Sequence, residues 1–270
     1  MLALVDGDII VYRIGYTTEQ NDWYIARWRC DEMMEGILKD VEADEYRVYL
    51  SDSTHNGFRS KVLPSYKANR TQPKPKHYED LKAHLIGHWD ARIALGEEAD
   101  DRLGIEQDYD PEIPPEVWQT VICSIDKDLH QVPGHHWNFV KKEWQTIFQS
   151  GATRFFWKQV LTGDVVDNIK GIYGIGPKRA EKILSSVPDG GDYFARILDE
   201  YRRAYQEQAE RNLLITGRVI KIRTREGELW NFPMEYTQLQ PSLDYPSSST
   251  PSEQEGDTPS TEPTTTAPIG

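Results

Sequence analysis

The chain predicts an α/β fold, a mainly parallel β-sheet flanked by helices, with a smaller helical region after it. Three observations carry that expectation. Short apolar runs of strand length alternate with stretches whose apolar residues recur every three to four positions, the pattern of strand–helix–strand crossovers. Each of the three clearest strands runs into an aspartate. From about Arg154 to Glu210 the pattern turns helical, with glycine-rich breaks.

Leu2-Ala3-Leu4-Val5 is the first strand, short and apolar enough to be buried. Ala26, Cys30, Met33, Met34, Ile37, Leu38 and Val41 recur at helical spacing. Tyr46–Leu50 is the second strand, and Leu81, Leu85, Trp89 and Ile93, four apart, mark a further amphipathic helix. Val121–Ile125 is the third strand and Trp137–Val140 a fourth. The expected division is a sheet domain over 1–153, a helical domain over 154–240 and a tail over 241–270. The tail holds 6 Pro, 12 Ser plus Thr, five acids and no Lys or Arg. That composition buries too little apolar surface to offset chain entropy and predicts disorder.

Composition excludes several classes. No run of 18 apolar residues exists, so no membrane span is expected. MLALVDGDII lacks a basic stretch and meets an acid at Asp6, unlike a signal peptide. Cys30 and Cys123 are too few for a disulfide framework or a zinc knuckle, and a reducing cytoplasm and a monomer are expected. The formal charge of −13 by itself argues against a polyanionic partner.

The aspartates qualify that argument. Leu4-Val5 runs into Asp6, Leu50-Ser51 into Asp52, and Ser124-Ile125 into Asp126. In an open parallel sheet, strand carboxyl ends share one edge, where ligands bind. Glu98, Asp100 and Asp101 precede an apparent helix, Asp128 follows Asp126, and Asp164 and Asp167 would share one face if helical. Carboxylates crowded without His or Cys suit hard cations with oxygen ligands, magnesium or manganese. Two such ions about 4 Å apart can clamp a phosphodiester. Taken one at a time, each aspartate is more often a turn or helix cap.

Between Arg59 and Lys82 seven basic residues, among them Lys61, Lys67 and Arg70, oppose two acids. A charge run is usually a solvated face, but its place between acidic elements suits phosphate steering, with Tyr66 and His77 able to stack on bases. Gly171-Ile172-Tyr173-Gly174-Ile175-Gly176-Pro177-Lys178-Arg179 combines a glycine turn, a Pro at a helix start and two cations, an arrangement that suits a phosphate.

Val-Asp-Gly-Asp at 5–8, Phe58-Arg59, Tyr66-Lys67-Ala68-Asn69-Arg70, Glu98-Ala99-Asp100-Asp101, Ser124–Asp128 and Gly163–Ile169 together resemble the 5′-nuclease superfamily over about residues 2–185. This is the superfamily of flap endonucleases and phage 5′→3′ exonucleases, and the chain looks most like the phage enzymes. The resemblance implies a PIN-like (Rossmann-like) catalytic sheet with a helix-3-turn-helix region after it. It implies that Asp6, Asp52, Glu98, Asp100 and Asp101 build one metal site and Asp126, Asp128, Asp164 and Asp167 a second. Lys67 and Arg70 would contact the scissile phosphate, and Arg13 would lie near the 5′ end. Residues 59–95 would form a helical arch threaded by a single-stranded 5′ end. Gly171, Gly174, Gly176, Lys178 and Arg179 would hold duplex backbone, with potassium on the turn. The substrate would be DNA, or RNA in an RNA–DNA hybrid, in a host cytoplasm. Asp8 stands where the family commonly has a neutral residue.

Two other readings remain open at this point. Asp6-Gly7-Asp8 resembles the aspartyl-phosphate loop of haloacid-dehalogenase phosphatases, in which Asp6 would be a nucleophile. A DNA-binding module without chemistry is the other. As for charge, the tail holds five acids and the proposed sites nine. The remaining 30 acidic residues face 31 basic ones, so acidity does not exclude DNA.

Overall fold

Alternation along the central strands places the sheet between two apolar layers. In the computed structural model, which describes residues 1–52, 57–188 and 191–243, β1 (Leu2–Asp6) sends Ala3 and Val5 to one face and Leu4 to the other, all fully buried. The strand is therefore central, and everything else is arranged around it. α1 (Gly7–Thr17) and α2 (Trp23–Asp40) cross back to β2 (Glu45–Ser51), which pairs parallel to β1. α3 (Phe58–Val62) and α4 (Tyr78–Trp89) lead to β3 (Arg92–Ala94), and α5 (Ala99–Glu106) leads to β4 (Thr120–Cys123). β5 (Gly134–Asn138) follows parallel to β4, and β6 (Glu143–Ile147) closes the edge antiparallel. The order is β3-β2-β1-β4-β5-β6.

The sheet and its helices match the expected architecture, with three local differences. Ile93 lies on β3, not at the end of the preceding helix, because Asp90 takes a left-handed conformation (φ 49°) that ends α4. β6 reads as polar because it is an edge strand, with Glu143, Trp144 and Thr146 exposed. Residues 78–95 do not arch. Leu81, Leu85 and Trp89 of α4 pack with Ile10, Ile14, Met34 and Ile37 of α1 and α2 in the layer over one sheet face.

After the sheet, α6 (Gln149–Thr162) runs into a two-residue hairpin, β7 (Gly163–Asp164) with β8 (Ile169–Lys170), then α7 (Pro177–Leu184), α8 (Tyr193–Tyr205) and α9 (Ala209–Ile220). Gly163 (φ 68°) and Gly171 touch across this turn. A Cβ on either would lie 2.2 Å from backbone of the opposite strand, so both glycines serve close packing. The core of these helices also takes in Val62 and Tyr66, with Phe58 and Leu63 against it. Residues 58–66 thus pack with 154–240, and the expected boundary at 153 does not divide the cores. Of the expected tail, residues 241–243 are described, with Leu243 against that core; 244–270 lie outside the described residues.

Arg59 joins the parts. Its guanidinium forks onto Asp101 (2.5 and 2.8 Å) and donates to the Val219 and Lys221 carbonyls at 2.9 Å, tying α3, α5 and the end of α9 in a site 4% exposed. Burial raises the Asp101 pKa, but Arg59 outweighs it and holds the carboxyl below the usual range.

Two outcomes follow. Arg59→Ala strands a buried carboxylate and should cost about 3–5 kcal/mol in urea unfolding, whereas Lys61→Ala, exposed on the same helix, should change it by less than about 0.5 kcal/mol. His136, buried with Nε2 donating to the Val132 carbonyl, has its pKa pushed down to about 4 by burial. The unfolded chain binds that proton near pH 6.5, so this contribution is intact above pH 7 and is lost as pH falls toward 4. Between pH 7 and 5 the parent should lose about 2 kcal/mol more than His136→Gln.

Candidate active site

The carboxylates gather where β1 and β4 end. Asp6 is the last residue of β1 and the cap of α1: Oδ1 accepts the Ile9 N–H at 3.1 Å, and Oδ2 accepts the Ser124 hydroxyl at 2.6 Å. Burial, then repulsion from Asp8, pushes its pKa up to about 7. Ser124 Oγ also accepts the Asp126 N–H at 3.0 Å, and Asp126 Oδ1 the Asp128 N–H at 2.8 Å. Asp128 Oδ1 accepts from Gln159 of α6 at 2.8 Å, and burial, then Asp126 and Asp164, lifts its pKa to about 7. Parallel strands put these residues on one edge, and capping orients them.

Glu98 caps α5 in a capping box with Asp101. The next turn projects Asp100 toward Asp6 and Asp126, and burial followed by their charge raises its pKa well above the usual range. Opposite stands the β7–β8 hairpin. Asp164 and Asp167 lie on that hairpin and not on a helix: Asp164 Oδ1 accepts the Val166 and Asp167 N–H groups at 2.7 and 3.3 Å. Tyr66, Glu98, Asp100, Asp128, Asp164 and Asp167 line one cleft.

Its cations come from 66–70. Lys67 takes a left-handed backbone (φ 55°) and donates its N–H to the Asp167 carbonyl at 2.9 Å. Its Nζ pairs with Glu98 and lies 3.7 Å from Asp167. Arg70 meets Asp167 at 2.5 Å. The Tyr66 hydroxyl sits between Glu98 (2.8 Å) and Asp167 (3.1 Å).

Several expected residues lie elsewhere. Arg59 and Asp101 are buried on each other, so Asp101 spends its charge on Arg59, while Arg59 also lies 3.6 Å from Glu98 at the cleft wall. Tyr66 and His77 are buried and offer no face to a base; His77 Nε2 donates to the Asn21 carbonyl at 2.9 Å. Asp52 directly follows β2 beside Gly96, whose N–H it accepts at 3.4 Å. Asp8 accepts the Ser51 N–H at 3.0 Å, and Ser51 Oγ in turn accepts the Ala99 N–H at 2.9 Å, so Asp8 braces the start of α5. Arg13 and Lys61 are exposed on α1 and α3. In the hairpin turn, Gly171 packs on Thr162 and its carbonyl accepts the Tyr205 hydroxyl at 2.7 Å. Gly174 (φ 79°) makes the turn, Gly176 caps α7, and Lys178 and Arg179 are exposed on its first turn.

Sequence reasoning missed Ser124 and Gln159, ordinary polar residues distinguished only by what the fold sets beside them. It also missed Tyr173, 99% exposed next to Gly174, and so the aromatic this turn presents. The donor set is all oxygen, buried and crowded enough to lift three pKa values, and fits hard cations. Among the described residues no group of three His, Cys, Asp or Glu is already arranged around one ion. No described helix is long and apolar enough to cross a membrane.

Comparison with known proteins agrees with this geometry. Residues 1–157 match the family model of the 5′-3′ exonuclease, N-terminal resolvase-like domain. The flap endonuclease Xni of Aliivibrio fischeri (strain ATCC 700601 / ES114) is 27% identical over 235 residues, 79% of this chain and 88% of that protein. The Vibrio atlanticus Xni is 28% identical over 57% of this chain, which spans 65% of that relative's length. Thermus aquaticus DNA polymerase I is 28% identical over 68% of this chain, which spans 23% of its length. Among solved structures, the phage T5 5′-exonuclease with zinc bound superimposes with a TM-score of 0.57 at 18% identity, covering 83% of this chain and 90% of that one. A phage T5 flap endonuclease in complex with DNA and metal ions gives 0.55 at 19%, covering 80% and 88%. The strand order, the acidic edge and the match over more than half its length place this chain in the 5′-3′ exonuclease family.

Proposed function

We propose that the protein is a divalent-metal-dependent phosphodiesterase that cuts DNA strands near their 5′ ends, as a 5′→3′ exonuclease and as an endonuclease at flaps. One observation carries this: a cleft lined by Glu98, Asp100, Asp128, Asp164 and Asp167, with Lys67 and Arg70 on its rim. The DNA and metal ions recorded with the phage T5 relatives, and the family itself, support the same reading.

Asp6, Glu98 and Asp100 would hold one cation, and Asp126, Asp128, Asp164 and Asp167 a second. Magnesium or manganese bound there supplies Lewis-acid polarisation of the phosphate and activation of water. The protein's own part is positioning and charge. Ser124 and Gln159 hold Asp6 and Asp128 by hydrogen bonds, so these carboxylates keep their orientation when deprotonated. Lys67 and Arg70 share Glu98 and Asp167 as counterions, and would exchange them for a phosphate that offers stronger charge. Offsetting the charge that develops on the phosphoryl oxygens is then their contribution. No protein nucleophile is required. Lys178 and Arg179, beside Gly176, would meet duplex backbone. The substrate extends to RNA in RNA–DNA hybrids, because the cations address phosphates.

Asp128→Asn should lower kcat on a labelled 5′-flap in magnesium by about 100-fold or more, with DNA affinity within about threefold; unchanged cleavage overturns the assignment. Lys67→Ala with Arg70→Ala should lower kcat/KM by about 100-fold or more. Magnesium at millimolar concentration should raise the melting temperature of the parent and raise that of Asp128→Asn less, because binding to the folded state stabilises it.

A further inference from the structure

Two buried glutamines meet behind Asp128. Gln131 ends the short 3-10 turn Lys127–Gln131 that carries Asp128, and Gln159 stands on α6; they are 3% and 8% exposed. The Ile222 N–H donates to Gln131 Oε1 at 3.3 Å. Gln131 Nε2 donates to the Ile220 carbonyl at 2.9 Å and to Gln159 Oε1 at 2.7 Å. Gln159 Nε2 then donates to Asp128 Oδ1 at 2.8 Å.

The direction of this chain of hydrogen bonds is set by the backbone. A backbone N–H only donates and a backbone carbonyl only accepts, so Ile222 and Ile220 fix which end of the Gln131 amide faces which. With its oxygen on Ile222, Gln131 has only N–H to offer Gln159. Gln159 must then present its oxygen to Gln131 and its N–H to Asp128. Turning either amide over would set like against like and leave buried polar groups unpaired. The same stretch of backbone grips the other wall of the cleft: the Val219 and Lys221 carbonyls accept from Arg59, which holds Asp101 of α5. Val219, Ile220 and Ile222 themselves line the cleft.

We infer that Gln131 is a positioning residue for the metal site. It carries the fixed polarity of the backbone leaving α9 through Gln159 to Asp128, and so sets how tightly that carboxylate holds a divalent cation, as outer hydrogen bonds do for metal ligands. This rests on the metal-dependent nuclease reading above and adds to it a residue that acts from behind the carboxylate.

The test measures magnesium binding to the full-length protein by calorimetry without DNA, beside flap cleavage across a magnesium titration. Gln131→Met removes the amide. Gln131→Glu keeps the shape and an acceptor for the Ile222 N–H but offers Gln159 no N–H, so Gln159 turns its own N–H to it and its oxygen to Asp128. Each variant should weaken magnesium binding about tenfold or more. The negative charge added by Gln131→Glu would alone strengthen it, so the loss reports the reversed amide. Cleavage should need correspondingly more magnesium, with kcat at saturating magnesium within about threefold of the parent. In a Gln159→Met background Gln131→Glu should no longer weaken binding, because the link to Asp128 is already gone. If Gln131→Met does not fold, Gln131→Glu decides. Magnesium affinity within about twofold of the parent in the folded variants overturns the relay and, with the parent still cutting the flap, leaves the nuclease reading standing. If the parent neither binds magnesium nor cuts, the nuclease reading fails, and this inference with it.

Discussion

The buried Arg59–Asp101 pair is the constraint on which the arrangement depends. A guanidinium removed from water is tolerable only with its donors satisfied, and here one carboxylate and two backbone carbonyls satisfy it. Those partners come from α5 and from the exit of α9, so one side chain fixes the acidic helix, the basic segment and the C-terminal helices together. Arg223 adds to this by stacking on Phe58 at 3.9 Å and reaching Glu97 at 3.0 Å. The cleft lies immediately beyond: Glu98, three residues from Asp101 in the same capping box, faces it. Loosening the pair would shift one wall of the cleft against the other.

The same carboxylates serve structure and chemistry. Asp6 and Asp126 cap the segments after β1 and β4, as isolated aspartates commonly do; capping takes Oδ1 of each, the Ser124 hydroxyl donates to the other oxygen of Asp6, and both carboxylates are held at the sheet edge. Burial first, and then the neighbouring carboxylates, disfavour the charged acid, so the pKa values of Asp6, Asp100 and Asp128 are raised. Hydrogen bonds from Ser124 and Gln159 hold the strained acids in place, where packing alone would let them turn away from one another.

The hairpin of Asp164 and Asp167 shows how little backbone a site needs. Two residues of strand, a turn and a pair of touching glycines carry two carboxylates across to the sheet edge. The backbone of Lys67 hydrogen-bonds to this turn, so the rim cation is anchored directly to the segment that carries the opposing acids. Rigidity here comes from close backbone approach, which only glycine permits at Gly163 and Gly171.

By itself the sequence determined the alternating sheet, the strand-end aspartates and the acidic and glycine motifs, because hydrophobic period and turn chemistry are local properties. It also separated the charge of the sites and tail from the rest of the chain. Only the tertiary structure decided the partners. Arg59 read as a surface cation because nothing local shows that Asp101 and the end of α9 will bury it. Tyr66 and His77 read as exposed aromatics for the same reason. Asp164 and Asp167 sit three apart, which would share one face of a helix, but an Asx turn has the same spacing and is what forms. Where the arch was expected, α4 packs over the sheet and Pro75 lies against Gly15, a contact between residues 60 apart in the chain that no periodicity reports.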